Sequence, residues 1–262
     1  MKKKPPEAEM VKAELVEDGV TKTQHISMWS GPRNISTTMM RSFENRSDTQ
    51  VVDEPFYASY LERSGADHPF RDEILAAQPT AYEDALAQVL SDNEGAAPFK
   101  FHKHIAFHLQ PDTDLDWVLN TRCILLIRDP RAMVASYADR FEDVSPIVAS
   151  LAIERRIFDL FRDHKQPCPI IDSKDVLCAP QPMLEKLCRQ LDIPFDAAML
   201  AWPEGPRESD GVWAPHWYHN VEKTSGFLPW QEKTISLSPE LEQIADACRE
   251  DYDYLYQARL TV

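Results

Sequence analysis

A layered α/β domain with a mostly parallel central sheet is the fold class that this 262-residue sequence predicts. Three observations carry it. Short apolar runs alternate with amphipathic stretches along the chain, the pattern of parallel strands joined by crossover helices. The run Cys123-Ile124-Leu125-Leu126-Ile127 is apolar at every position, as a strand buried on both faces is. The stretch from His25 to Phe43 reads as a strand, a tight turn and a helix start, with no acidic side chain in it. Such a turn leaves the first helical N–H groups without intrahelical partners and makes an anion site.

The length suits one sizeable domain, expected over 25–262 and preceded by a flexible polar arm over 1–24. Twenty-eight Lys and Arg against 43 Asp and Glu give a formal charge of −15. That balance argues against nucleic acid or an anionic membrane as partner, and a polyanionic ligand needs a place where the acidic background is interrupted. The five cysteines (Cys123, Cys168, Cys178, Cys188 and Cys248) are odd in number and have no zinc-ligand or C-x-x-C spacing. Reduced thiols in a cytoplasmic protein are expected. No apolar run is long enough to span a membrane, and Pro5-Pro6-Glu7 stands where a signal-peptide core would begin.

Taken in order, the first strand is expected over His25–Trp29. The turn Ser30-Gly31-Pro32-Arg33-Asn34 leads to a helix from Ile35, with Met39, Met40 and Phe43 on its apolar face. Ser36, Thr37 and Thr38 put three hydroxyls in its first turn, either as anion donors or simply as helix caps. Arg33 adds a planar fork of N–H groups. Gln50–Asp53 reads as a short second strand, and Glu54 beyond it is a candidate for acid–base work or a helix cap. From Tyr57 to Asn93 the chain reads as acidic helices and loops on a solvated outer face, to which no chemistry is assigned.

At Ala97 the character changes. Lys100, His102, Lys103, His104 and His108 crowd into Pro98–His108 with no acid among them. A strand beginning at Phe99 is expected there, and its lysines and histidines are candidates for neutralising an anion and moving a proton, unless they form a solvent-exposed basic loop. After the apolar strand, Arg128 sits at the strand end, Pro130 starts a helix and Ser136 lies two turns on; the pair could clamp a compact anion, unless Arg128 pairs with a neighbouring carboxylate and Ser136 is a small helix-packing residue. A helix over Ile147–Phe161, a strand over Pro169–Asp172, a helix from Pro180 to Leu191 and a final helix over about Pro239–Tyr256 complete the alternation. Between Trp202 and Trp230 the chain is dense in aromatic residues, as a lid or a core-covering segment is.

Together these pieces resemble the sulfotransferases that use 3′-phosphoadenosine 5′-phosphosulfate (PAPS), over a span from Ile26 to about Phe195. Ser30 to Thr38 is similar to the family's 5′-phosphosulfate loop, and Arg128-Asp129-Pro130-Arg131 with Ser136 is similar to its 3′-phosphate motif. Asp172 to Leu177, with Leu184, Leu187 and Leu191 to Phe195, resembles its late strand and packing helix. Lys100 to His108 stands where the family has its central lysine and, in many members, a histidine base. The loop departs from the family at Asn34 and at Ile35, which replaces a glycine. The C-terminal Arg-Lys-Gly signature is absent, with Lys223-Thr224-Ser225-Gly226 in its stead.

The resemblance implies a three-layer, P-loop NTPase-like fold and a nucleotide-binding transferase. PAPS would be the donor, adenosine 3′,5′-bisphosphate the product, and no metal would be required. Gly31, Pro32, Arg33, Asn34, Ile35, Ser36, Thr37 and Thr38 would hold the donor with Arg128, Ser136 and Lys223. Arg33 would neutralise the departing phosphate, Lys103 or else Lys100 would meet charge on the moving group, and His104 or Glu54, with His102 and His108 behind them, would take the acceptor's proton. The acceptor is expected to be a small molecule, and the oligomeric state is not legible. Two other classes remain open at this point. A P-loop kinase or NTPase would need a Gly-Lys-Ser/Thr loop ending that this chain lacks. A catalytically silent nucleotide-binding protein would bind PAPS without transfer.

Overall fold

The computed structural model describes residues 22–92 and 97–262, so the expected arm, apart from its last residues, lies outside the described residues. Five described strands form one sheet: β1 (Gln24–Ser30), β2 (Thr49–Asp53), β3 (Phe99–Ile105), β4 (Arg122–Ile127) and β5 (Ile170–Asp172). Their order is β2-β3-β1-β4-β5 and every pairing is parallel. β1 is longer than the expected His25–Trp29 strand by a residue at each end. β1 and β4 are neighbours whose following chains leave in opposite directions, toward β2 and toward β5. A crevice therefore opens above their C-terminal ends.

Alternation of side chains sends Ile26, Met28, Phe101, Ile124 and Leu126 to one face. There they meet α1 (Ser36–Glu44), α2 (Tyr57–Ser64), α7 (Ser173–Cys178) and α8 (Pro180–Gln190). Trp29, Cys123, Leu125 and Ile127 face the other way, against α4 (Tyr82–Val89), α5 (Pro130–Ala138), α6 (Ser145–Asp163), α10 (Pro239–Ala247) and α11 (Arg249–Gln257). The result is the expected three layers. The two remaining described α-helices are short: α3 (Arg71–Ala77) packs against α2, and α9 (Ala214–Trp217) brings Trp217 to the crevice. Among the described residues no helix is long and apolar enough to cross a membrane.

Two elements differ from their sequence readings. The single final helix expected over about Pro239–Tyr256 is two, α10 and α11, parted by a turn at Cys248. The alternation of Phe with Lys and His in β3 suggests one face buried and one wet, yet every residue of β3 is buried. Helices pack over both faces of the sheet, so the two lysines and two histidines of β3 are held out of water.

Candidate active site

The turn after β1 is built by one left-handed residue. Arg33 has φ 58°, whereas Ile35 stands at φ −91° and ψ 28°. No glycine is needed at Ile35, because the sharp turn lies two residues earlier. Asn34 pins the loop: its Nδ2 donates to the Leu126 carbonyl at 2.7 Å, and its Oδ1 accepts from the Ile35 N–H at 2.9 Å. Gly31 lies close against α5: a Cβ there would be 3.0 Å from Met133 Cε, a contact that the methionine would have to relax. No side chain caps α1. The hydroxyls of Ser36, Thr37 and Thr38 are therefore not spent on capping, and the first-turn N–H groups have no intrahelical acceptors.

Arg33, Arg128 and Ser136 come together at this loop. Arg33 Nε donates to Ser136 Oγ at 3.1 Å, and an Arg128 Nη donates to the Arg33 carbonyl. Arg128 Nε is buried with no hydrogen-bond partner. Asp129, the adjacent acid, instead caps α5 through the Ala132 N–H and pairs with Arg249 at 3.6 Å. Burial pushes the pKa of both guanidiniums down; Arg140 adds to this at Arg33, and Arg33 adds to it at Arg128. Both stay charged at any working pH. Two partly buried cations without a paired carboxylate make a site suited to an anion.

A second cluster forms where β2 ends beside β3. Lys103 Nζ donates to Asp53 Oδ1 at 2.7 Å, Glu54 Oε1 at 2.6 Å and the Tyr218 hydroxyl at 2.5 Å. Its side chain is 1% exposed. Tyr218 in turn donates to Asp53 Oδ2 at 2.7 Å and accepts from Trp213 Nε1 at 3.2 Å. Burial opposes the Lys103 charge, but Asp53 and Glu54 overcome it and hold the ammonium pKa well above the usual lysine range. Two carboxylates share one ammonium, leaving one negative charge in excess. Glu54 carries the consequence: burial raises its pKa, Lys103 opposes the rise and Asp53 adds to it. Glu54 also sits at φ 40°, a strained position for a side chain of this kind. Its carbonyl is fixed by Gln78 Nε2 at 3.2 Å and by the Tyr57 N–H at 3.0 Å.

Both clusters line one cavity of about 350 Å³. From the predicted set, Pro32 to Thr38, Glu54, Lys103, Arg128 and Ser136 line it; Gly31, His104 and Lys223 do not. Gly31 lies beneath the loop, and Lys223 is exposed, while Thr224 and Gly226 beside it reach the cavity. His108 lines it too, with Nε2 3.9 Å from Glu54 Oε2. Lys100 points elsewhere and donates to the Gln88 and Ser91 carbonyls.

His104 lies on the opposite face of the sheet, its ring 4.0 Å from Trp29 and 5.5 Å from Phe56 by centroids. Both ring nitrogens lack partners, and burial lowers its pKa to about 3. Burial lowers His102 and His108 well below the usual range as well. Folded pKa values below the unfolded 6.5 mean that the folded state is favoured above pH 6.5 and loses ground as pH falls. For His104 the loss runs from 6.5 toward 3 at about 1.4 kcal/mol per pH unit. His104→Phe, which keeps a flat ring in the stack, is expected to leave neutral-pH stability within about 1 kcal/mol and to flatten the acid limb. Urea unfolding at pH 7.5 and pH 5 measures this, and an unchanged acid slope would contradict it.

The sequence reading passed over Tyr57 and His68, which fall in the stretch given no chemistry. They line the cavity and join through a Tyr57 OH to His68 Nδ1 contact of 2.8 Å. It flagged the aromatic segment without assigning it. That segment divides: Trp213 and Tyr218 are buried, and Trp217 lines the cavity beside Phe141, Tyr137 and Leu228. The available signal was aromatic density alone, which does not say which ring turns inward.

Comparison with known proteins follows the same lines. The model of the family Sulfotransfer_5, described as a sulfotransferase domain, matches residues 24–238. Two Arabidopsis thaliana relatives, the branched-chain-amino-acid aminotransferase-like proteins 1 and 2, are 36% and 34% identical over 205 residues. The match takes in 77% of this chain but 36% of each of theirs, so the chain spans about a third of their length. The sulfotransferase domain from the curacin biosynthetic pathway superimposes with TM-score 0.50 at 15% identity, covering 86% of this chain and 96% of that one. The sulfotransferase from Alicyclobacillus acidocaldarius gives 0.55 at 9% identity, with 89% and 94% covered. At such identities the likeness is one of fold.

Proposed function

The chain belongs to the sulfotransferase domain family, and from that premise we propose that it transfers a sulfuryl group from PAPS to a hydroxyl or amine of a small-molecule acceptor. One observation carries the reading: a single cavity holds two guanidiniums without carboxylate partners and, with them, a buried carboxylate whose pKa is raised. PAPS supplies an activated sulfuryl group and leaves as adenosine 3′,5′-bisphosphate. The donor set suits it, since Arg128 Nε lacks a partner and Ser136, although it accepts from Arg33, keeps its own O–H to donate.

Arg128 and Ser136 hold the 3′-phosphate. The loop N–H groups and the hydroxyls of Ser36, Thr37 and Thr38 hold the 5′ side, where Arg33 meets the charge of the departing phosphate. Glu54 takes the proton of the acceptor as the new bond to sulfur forms. Among the candidate bases it is favoured because it faces the cavity, whereas His104 does not, and because a raised carboxylate pKa suits a base working near neutrality. Lys103, with every ammonium proton engaged, holds Glu54 in place, and it gains freedom to face the moving group once Glu54 is protonated. Tyr57, Phe107, Tyr137, Phe141 and Trp217 offer the acceptor an apolar wall. All five cysteines are free thiols, which supports a cytoplasmic setting.

Incubation with sulfur-35-labelled PAPS and a panel of alcohols and amines tests the activity. Label is expected on at least one acceptor, undiminished in His104→Phe. Donor left unconsumed across a broad panel, by protein that binds it, would favour a silent binding protein instead.

A further inference from the structure

The apolar stripe of α6 (Ile147, Leu151, Ile153, Ile157 and Phe161) contains an acid. Glu154 is 0% exposed, and neither carboxylate oxygen has a hydrogen-bond partner. It sits on the helix face that supports the anion loop. The position of a Cβ on Gly31 would be 3.5 Å from Ser150 Cβ, one turn before Glu154. Ser150 turns its hydroxyl back to the Pro146 carbonyl and offers Glu154 nothing. The Gly31 N–H faces the carboxyl without reaching hydrogen-bond geometry, and the Cys123 thiol of β4 is the titratable group beside it. No lysine or arginine among the described residues pairs with it.

An ionised carboxylate without a counter-ion in such a place is strongly disfavoured. Burial holds the Glu154 pKa well above the carboxylate range, with only the Gly31 N–H opposing. A phosphate or sulfate on the other side of the loop would add a second negative charge across a low-dielectric layer. We propose that Glu154 is a positioning residue of the 31–38 loop, neutral while the loop holds an anion, so that its ionisation and anion binding oppose each other. The inference rests on the reading of that loop as the donor site. By linkage, an anion entering at a pH where Glu154 is partly ionised draws a proton onto it, and raising the pH weakens binding.

Calorimetric titration of the full chain with adenosine 3′,5′-bisphosphate from pH 6 to pH 9, in buffers of different ionisation enthalpy, reads both effects. Wild-type protein is expected to take up more protons than the ligand's own phosphates explain. Glu154→Gln, the neutral isostere, is expected to match wild type at pH 6 and to bind about tenfold more tightly than wild type at pH 9. Superimposed affinity profiles, or proton uptake fully explained by the ligand, overturn the inference and leave the donor site standing. Wild-type protein that binds neither the bisphosphate nor inorganic phosphate overturns both. If Glu154→Gln does not fold, the wild-type proton count decides alone.

Discussion

Lys103→Met is expected to lower folding stability by about 3–5 kcal/mol. The effect comes less from a lost attraction than from what stays behind. Asp53, Glu54 and the Tyr218 hydroxyl all converge on this one ammonium, and Asp53 is almost wholly buried. Without the cation, two carboxylates confront each other in the interior. Proton uptake by Glu54 relieves the repulsion, so the variant is expected to be closest to wild type at low pH and to fall behind as pH rises. The sign follows from removing the positive charge that opposes the rise in the Glu54 pKa. Urea unfolding of both proteins at pH 5.5 and pH 8 measures it; a loss under about 1 kcal/mol at pH 8 would mean that water reaches the cluster.

Glu54→Gln is expected to reduce turnover by about 10²- to 10⁴-fold while leaving bisphosphate affinity within about threefold. The amide keeps the size of the carboxylate and can still accept from Lys103, but it cannot accept the acceptor's proton. Wild-type activity is expected to fall as pH drops through the Glu54 pKa, which burial has raised above 4.5, because the base must be ionised. The variant's residual activity should lack that acidic limb. His108 is the competing base, lining the same cavity 3.9 Å from Glu54. If Glu54→Gln kept its turnover and His108→Gln lost it, the role would pass to the histidine.

Much of this was legible in the residues. The apolar run of β4 and the strand–turn–helix after β1 announced the layered α/β fold, and the spacing of Arg128 and Ser136 marked one half of the anion site. The boundaries of these elements required no tertiary information because the periodicities are local. The histidines of β3 were not separable in the same way. His104 and Lys103 are adjacent, and only the pairing of β3 between β2 and β1 decides which of them faces the crevice. A shift of one residue in that alternation exchanges their roles. The same holds for Arg33: a non-glycine residue in a left-handed turn carries no sequence mark, so the departure from the family pattern at Ile35 did not show that the sharp turn lies at Arg33. Tyr57, His68 and Tyr218 reach the cavity from segments distant in the chain. Glu154 stood in plain view within an apolar stripe, but its meaning depends on Gly31 lying against α6.

The donor site is the claim on which the rest depends, and titration with adenosine 3′,5′-bisphosphate tests it most directly. Wild-type protein is expected to bind the bisphosphate more tightly than ATP with magnesium, and Arg128→Ala is expected to weaken it by at least about tenfold, the loss of one charge-assisted contact. Binding of ATP with magnesium but not of the bisphosphate, or an Arg128→Ala variant that binds as wild type does, would contradict the account.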